Sequence, residues 1–132
     1  MRFKVHRPGL QTHIQDHPRD GFAHYGVSSS GPADIIAYHY GNYLVNNKIN
    51  TASLEITLFG PKIEFLDAGY IAITGSKFMT KINDSDLLYN KPIKIEKGQM
   101  LDIRSAIEGA RCYLSIAGGI NVKDFLSSKS TH

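Results

Sequence analysis

The residues best suited to chemistry lie in a polar segment, residues 12–30, which shows no apolar period and runs into a helix signal. Long irregular segments in compact domains are often functional. An arginine there offers a planar fork to carboxylate or phosphate, and a helix N-terminus favours an anion. Spacing alone fits equally well a segment whose polar residues only brace the backbone. The segment contains Gln15, Asp16, Arg19, Asp20, Tyr25, Ser28, Ser29 and Ser30.

Further candidates lie at strand ends and in the tail. Glu55 is a carboxylate in an otherwise apolar run, and exposure to solvent is the favoured interpretation; facing inward, it would act as a base or bind a cation. Thr74 and Gly75 close a strand predicted to be buried, so their backbone could approach a ligand. The tail with Lys129 and Ser130 fits a phosphate-binding segment and a frayed terminus equally well.

No metal site is predicted. His13 and His17 are four residues apart, a spacing that suits zinc on a helix, but Pro18 and the missing apolar period argue against a helix there. Cys112 lies inside an apolar run, where a buried structural thiol is expected rather than a nucleophile.

One main helix is predicted near residues 32–45. Pro32 suits the first helical position, and Asp34 in the first turn would face the positive end of the helix dipole. Asn46 and Asn47 would end the helix. The residues at helical spacing are Ala33, Ile36, Ala37, Tyr40, Tyr43 and Leu44.

Short strands separated by turn signals fill most of the remaining chain. Residues 83–86 indicate a hairpin turn, and residues 93–96 are predicted to pair with residues 100–103 around Lys97 and Gly98. The strands are expected at 2–5, 54–59, 62–65, 70–74, 79–82, 93–96, 100–103 and 111–116. This pattern predicts a mostly β fold, an antiparallel barrel or sandwich that one helix plugs or flanks.

Composition fits one globular domain. The chain has 132 residues, with 42% hydrophobic and 20% charged residues. The net charge of +3 is scattered, which argues against nucleic-acid binding. No apolar run is long enough to span a membrane, and the start lacks the apolar core of a signal peptide. A single cysteine fits the reducing cytoplasm, which is the predicted location.

Seven short motifs follow one another in order along the chain. They are Gln15-Asp16-x-x-Arg19-x-Gly21, Tyr25-Gly26-Val27-x-x-Ser30-Gly31-x-x-Asp34, Leu54-Glu55-Ile56-Thr57, Gly60-Pro61, Ile73-Thr74-Gly75, Ala117-Gly118-Gly119-Ile120 and Ser128-Lys129-Ser130-Thr131. Together they resemble the allophanate hydrolase subunit 2 family, which is biotin-dependent carboxyltransferase-like and includes the C component of bacterial 5-oxoprolinase. The resemblance implies that residues 1–132 are the N-terminal part of such a domain.

The resemblance implies a partly cyclophilin-like architecture and a role in an ATP-dependent enzyme that converts 5-oxo-L-proline to L-glutamate. ATP with Mg is the implied cofactor of the complex. The implied partners are an allophanate hydrolase subunit 1-type protein, which is the B component of 5-oxoprolinase, and the A component of the same enzyme. The implied catalytic residues are Asp16, Arg19, Asp34 and Glu55. The implied substrate- or nucleotide-binding residues are Gln15, Tyr25, Ser30, Gly31, Thr74, Gly75, Lys129 and Ser130.

Two other functions of the same family stay open. One is a regulatory protein that antagonises a Kip-type kinase inhibitor, and the other is part of a biotin-dependent carboxyltransferase acting on urea or a related amide. The chain has no Ala-Met-Lys-Met biotinylation sequence, so it is not expected to carry biotin. His17-Pro18, Ser28 and Lys129 depart from the family pattern. Family members are much longer, so this chain alone is expected to be inactive and to expose apolar surface.

Overall fold

Alternating apolar and polar side chains build two antiparallel sheets. The computed structural model describes residues 1–15 and 32–121. In chain order the elements are β1 (Phe3–Arg7), β2 (Gln11–Gln15), α1 (Ile35–Leu44), β3 (Ser53–Thr57), β4 (Lys62–Phe65), β5 (Gly69–Gly75), β6 (Phe78–Ile82), β7 (Ser85–Asp86), β8 (Ile93–Ile95), β9 (Met100–Ala106) and β10 (Arg111–Ile116). The first sheet has the strand order β1-β4-β9-β6-β7, and the second has the order β2-β3-β10-β5-β8.

The core consists of side chains from the inward faces of both sheets, packed as one cluster. In β4, for example, Ile63 and Phe65 are buried while Lys62 and Glu64 are partly exposed. Burial of this apolar surface is the main favourable term in folding. The second sheet contributes Ile14, Leu54, Ile56, Ile71, Ile73, Ile95, Cys112, Leu114 and Ile116.

The mostly β prediction is confirmed, and of its two forms the structure is the sandwich. Within the described residues, β1 and β7 are the edges of the first sheet and β2 and β8 are the edges of the second, so neither sheet closes into a barrel. The chain changes sheets between β1 and β2, where Gly9 has a φ of +79°. Among the described strands, consecutive strands are neighbours only in the pairs β6–β7 and β2–β3, and the other neighbouring strands are distant in the chain. The alternation of side chains shows which face of a strand is buried, but not which strand lies beside it.

The helix is confirmed, with a later start than predicted. Asp34 is the N-cap rather than a first-turn residue, and its carboxylate accepts a hydrogen bond from the Ala37 backbone. Pro32 therefore precedes the helix. The helix begins after Asp34 because the aspartate side chain accepts from a first-turn N–H that has no partner within the helix. Asn46, with a φ of +60°, follows the C-cap as predicted.

The helix buries a different face from the one its apolar spacing indicated. Ala37, Tyr38, Gly41 and Asn42 are buried, against β5 and β10 of the second sheet. Ile36, Tyr40 and Tyr43 are 78%, 42% and 73% exposed. An alanine and a glycine allow closer approach to the sheet than the bulkier apolar stripe would. No described helix is long and apolar enough to cross a membrane.

The predicted hairpin at residues 83–86 is confirmed in a tighter form. Ile82 pairs with Ser85, leaving Asn83 and Asp84 as a two-residue turn. Their φ values of +47° and +68° match the type I′ turn that joins twisted strands.

The predicted pairing of residues 93–96 with residues 100–103 is wrong. Gly98 makes a turn with a φ of +89°. However, β8 pairs with β5 in the second sheet, whereas β9 pairs with β4 and β6 in the first. The turn therefore carries the chain from one sheet to the other, and the two strands are not hydrogen-bonded neighbours.

The start of the polar segment is a strand rather than an irregular loop. Gln11–Gln15 forms β2, which pairs with β3 along its whole length. Ile14 enters the core, while His13 and Gln15 face the opposite side. The polar composition hid this strand because its outward face is also polar.

Candidate functional site

A row of polar side chains crosses the outward face of the second sheet. The strand register places His13 opposite Glu55, Glu55 opposite Tyr113, and Tyr113 opposite Thr74. Residues opposite one another in antiparallel strands share a face of the sheet. Three of the four are buried: Glu55 is 6% exposed, and Tyr113 and Thr74 are fully buried. Buried polar residues are the informative exception to ordinary core composition.

Glu55 is the central residue of this row. Its Oε2 atom accepts a hydrogen bond from the Tyr113 hydroxyl at 2.5 Å and another from the Ala33 backbone N–H at 2.9 Å. Its Oε1 atom is 3.4 Å from Gln15 Nε2. The favoured sequence interpretation, a solvent-facing Glu55, is therefore wrong. Alternation placed Glu55 away from the apolar core, but that face of the sheet is itself covered.

The start of α1 is tied to the same row. The backbone N–H of Asp34 donates to the Tyr113 hydroxyl at 2.9 Å, and Ala33 donates to Glu55. Asp34 Oδ1 caps the helix by accepting from Ala37 at 3.1 Å. The positive end of the helix dipole thus faces a carboxylate of the chain itself. Some of the N–H groups predicted to hold an anion are already occupied by Glu55 and Asp34.

Tyr113 acts as a hydrogen-bond donor throughout the physiological pH range. Burial, together with the adjacent Glu55 carboxylate, raises the pKa of the Tyr113 hydroxyl above its ordinary value of 10. A neutral phenol donates one hydrogen bond and accepts others. Tyr113 uses both capacities, donating to Glu55 and accepting from Asp34.

Thr74 links the opposite end of the row to the helix. Its hydroxyl donates to the Ala37 carbonyl at 2.7 Å. Gly41 lies directly over this part of the sheet, where a Cβ atom would clash with Ser115 Oγ. The predicted neighbour Gly75 is exposed at the strand end, with a φ of +95°. The structure therefore separates Thr74, which is under the helix, from Gly75, which is accessible.

Three polar atoms around the row have no hydrogen-bond partner among the described residues. They are Gln15 Oε1, Ser53 Oγ and Ser115 Oγ, all buried. Gln15 is directly opposite Ser53 in the β2–β3 register. The polar face therefore extends beyond Glu55 to Gln15 and Ser53.

The predicted site residues divide into two groups. Gln15, Asp34, Glu55 and Thr74 lie on or beside the polar row, and Gly75 lies at its rim. Those outside the described residues are Asp16, Arg19, Tyr25, Ser30, Gly31, Lys129 and Ser130. Their predicted roles stay predictions.

The remaining candidates from the sequence have structural surroundings. Cys112 is a fully buried free thiol whose pKa is raised by burial, as expected of a structural cysteine. His13 is half-buried beside a cleft of about 150 Å³ at the β1–β2 turn. Among the described residues no three potential metal ligands cluster.

Tyr113 is the residue of this site that sequence reasoning missed. It was assigned only to an apolar strand. The available signal was its position: it alternates with Cys112 and Leu114, so its hydroxyl had to lie on the face away from the core.

The chain resembles known proteins along nearly its whole length. Residues 25–132 match the family described as the carboxyltransferase domain, subdomains A and B. The chain is 41% identical to urea amidolyase of Lachancea kluyveri over 98% of its own length and 7% of that protein's. It is 36% identical to the C component of Escherichia coli 5-oxoprolinase, over 97% of its own length and 41% of that protein's.

The fold matches as well. The crystal structure of Kluyveromyces lactis urea carboxylase superimposes with a TM-score of 0.82 at 39% identity, over 91% of this chain and 11% of that one. This chain thus spans less than half the length of these relatives. Sequence and fold agree that the chain belongs to the carboxyltransferase domain family, subdomains A and B.

Proposed function

We propose that this chain is part of an ATP-dependent 5-oxoprolinase, which opens the lactam of 5-oxo-L-proline to give L-glutamate. The observation that supports this most directly is the buried polar row, because Gln15 and Asp34, the first and last residues of the first two family motifs, meet there. The similarity to the C component of 5-oxoprolinase along nearly the whole chain supports the same reaction. The reaction is proposed to occur in the cytoplasm and with two partner proteins, which correspond to the B and A components of that enzyme.

The proposed chemistry requires activation of a stable amide. Lactam opening needs donors that stabilise charge on the carbonyl oxygen and groups that hold anionic ligands. Arg19 is proposed to clamp an anion, with Asp16 beside it and Ser30 and Gly31 supplying polar contacts. Tyr25, Gly75, Lys129 and Ser130 are proposed to line the substrate or nucleotide. ATP with Mg would be bound in the complex.

The decisive experiment is reconstitution with the two partner proteins. The complex is expected to release glutamate from 5-oxo-L-proline only when ATP is present. A preparation that lacks this chain is the matched control. Absence of glutamate from a correctly assembled complex would contradict the proposal.

Carboxyl transfer to urea is the second candidate function. The family is a carboxyltransferase domain, and the identity to urea amidolyase is 41%, against 36% for the 5-oxoprolinase component. In this case a separate biotin-bearing domain would deliver the carboxyl group. Urea-stimulated ATP hydrolysis in the presence of bicarbonate and that domain, without glutamate formation, would favour it. Stable binding of a Kip-type inhibitor without any turnover would instead favour the regulatory role.

A further inference from the structure

We propose that Tyr113 and Glu55 are a positioning pair that fastens both ends of the segment between Gln15 and Asp34 to the second sheet. The inference rests on the proposed function only for what that segment does; the fastening itself follows from the contacts. Neither residue is proposed to touch the substrate.

Three hydrogen bonds connect Glu55 and Tyr113 to the residues that precede α1. Glu55 Oε2 receives the Ala33 N–H at 2.9 Å and the Tyr113 hydroxyl at 2.5 Å. The same hydroxyl receives the Asp34 N–H at 2.9 Å. Two consecutive backbone N–H groups are thereby held by side chains from two neighbouring strands. This arrangement determines the position and direction of the chain where it enters the helix.

Glu55 also reaches the other end of the segment. Gln15 Nε2 is 3.4 Å from Glu55 Oε1, on the oxygen that the helix start does not use. One carboxylate therefore contacts positions 15 and 33, which lie at or near the two ends of the first two family motifs. The Gln15 backbone is already paired with β3 opposite Ser53, so at this end the Glu55 contact orients the Gln15 side chain.

The pair stands on inner strands of the sheet. Tyr113 and Glu55 are directly opposite each other in β10 and β3, which are both flanked by further strands. Their exposures of 0% and 6% mean that their hydrogen bonds face little competition from water. Small displacements of a positioning group cause large losses in catalysis because reacting atoms must be aligned closely.

Catalysis by Glu55 itself is less consistent with this geometry. Its Oε2 atom already accepts two short hydrogen bonds, and its Oε1 atom lies beside a glutamine amide. A general base needs a free oxygen within reach of the substrate. The family motif predicts a catalytic Glu55. A positioning role also accounts for a glutamate at this place in the motif, because its carboxylate holds Gln15, Ala33 and Tyr113.

The test compares Tyr113→Phe with Tyr38→Phe. Tyr38 is 1% exposed, its ring centroid lies 6.4 Å from that of Tyr113, and its hydroxyl donates to the Thr51 carbonyl at 2.9 Å. Both changes remove one buried hydroxyl from the same layer. The Tyr113 hydroxyl accepts the Asp34 backbone N–H, whereas the Tyr38 hydroxyl bonds to Thr51, beyond the end of the helix. The melting temperatures of the two variants should fall by similar amounts.

The readouts are amide hydrogen exchange and steady-state kinetics. Exchange at Ala33 and Asp34 should accelerate at least tenfold in Tyr113→Phe and stay within twofold of wild type in Tyr38→Phe. In the reconstituted complex, Tyr113→Phe should raise the KM for 5-oxo-L-proline by roughly tenfold, while Tyr38→Phe should leave it unchanged. Glu55→Gln, which keeps an acceptor oxygen, should fall between wild type and Tyr113→Phe in exchange.

Two outcomes separate this inference from the proposed function. Unchanged exchange at Ala33 and Asp34 in Tyr113→Phe, with only a lower melting temperature, would overturn the positioning role. An inactive wild-type complex would overturn the proposed function, while the exchange measurement would still decide the role of the pair.

Discussion

At the scale of single residues, the main feature is a carboxylate whose environment is set by its partners. Glu55 lies in a strand of otherwise apolar appearance, yet it holds three hydrogen-bonding groups from three different parts of the chain. Removing a group that satisfies buried donors costs more than the average hydrogen bond contributes, because the donors stay buried without partners.

Glu55→Ala is therefore expected to lower the free energy of unfolding by roughly 1–3 kcal/mol. The control is Glu64→Ala, also on a strand, where the carboxylate pairs with His6 at 2.8 Å near the surface. Such surface pairs contribute about 0–1 kcal/mol. Urea denaturation of both variants checks the prediction. Equal losses would show that the Glu55 contacts carry little energy.

Asp102 provides a pH-dependent prediction. Burial raises its pKa, but hydrogen bonds from Arg7 and Arg104 outweigh burial, and the net pKa lies below the ordinary value of 3.8. The folded pKa is depressed, so the stabilisation is complete above the unfolded pKa and is lost as the pH falls through the folded pKa. Asp102→Asn should cost about 1 kcal/mol at pH 7.

The difference between wild type and Asp102→Asn should shrink as the pH falls below about 4, where the Asp102 carboxylate of the unfolded chain begins to protonate while that of the folded protein stays ionised. Urea denaturation at pH 7 and pH 3 measures it. Asp86→Asn serves as a control, because the Asp86–Lys81 pair is at an exposed position. A difference that grows on acidification would contradict the assigned direction.

At the scale of elements, α1 approaches the second sheet closely because a glycine, which has no side chain, faces the sheet. Gly41 stands over Ser115, where a Cβ atom would clash with the serine Oγ. Helix propensity alone favours alanine over glycine by about 1 kcal/mol. The close contact should outweigh this gain, since overpacking costs about 1–3 kcal/mol.

Gly41→Ala is thus expected to lower the melting temperature, and Ser115→Gly is expected to restore part of the loss in the double variant. Thermal unfolding followed by circular dichroism measures both. A Gly41→Ala variant that is more stable than wild type would show that the helix can move away from the sheet without cost.

At the scale of the whole molecule, the outward side of α1 carries an apolar surface. Ile36 and Tyr43 are 78% and 73% exposed, and the ring of Tyr40 stacks on that of Tyr43 with centroids 6.3 Å apart. Contiguous exposed apolar groups favour association. The isolated chain is therefore expected to self-associate or to need a partner for solubility.

Analytical ultracentrifugation over a wide concentration range tests this expectation. Replacing Ile36 and Tyr43 by serine should shift the distribution toward monomer. Leu88→Ser, at an apolar position outside the helix that is 59% exposed, should not. A wild-type chain that stays monomeric at every concentration would contradict the prediction.

The sequence by itself determined the class of fold, most strands and the family. The apolar run of β5, the alternation of β4 and the turn at Asn83-Asp84 are local patterns, and local patterns carry the two-residue period of a strand or the torsion needs of a turn. The burial of Cys112 followed from the same reasoning. The seven motifs indicated the family because their residues and their order can be seen in the sequence without the fold.

Only the tertiary structure decided which strands are neighbours and which polar faces are covered. β8 and β9 lie on either side of one turn yet belong to different sheets, because strand pairing depends on contacts with strands distant in sequence. Glu55 is buried because the outward face of its sheet is covered, and alternation cannot reveal what covers a face. For the same reason Tyr113 gained its role only when Ala33 and Asp34 came within hydrogen-bonding distance of the sheet.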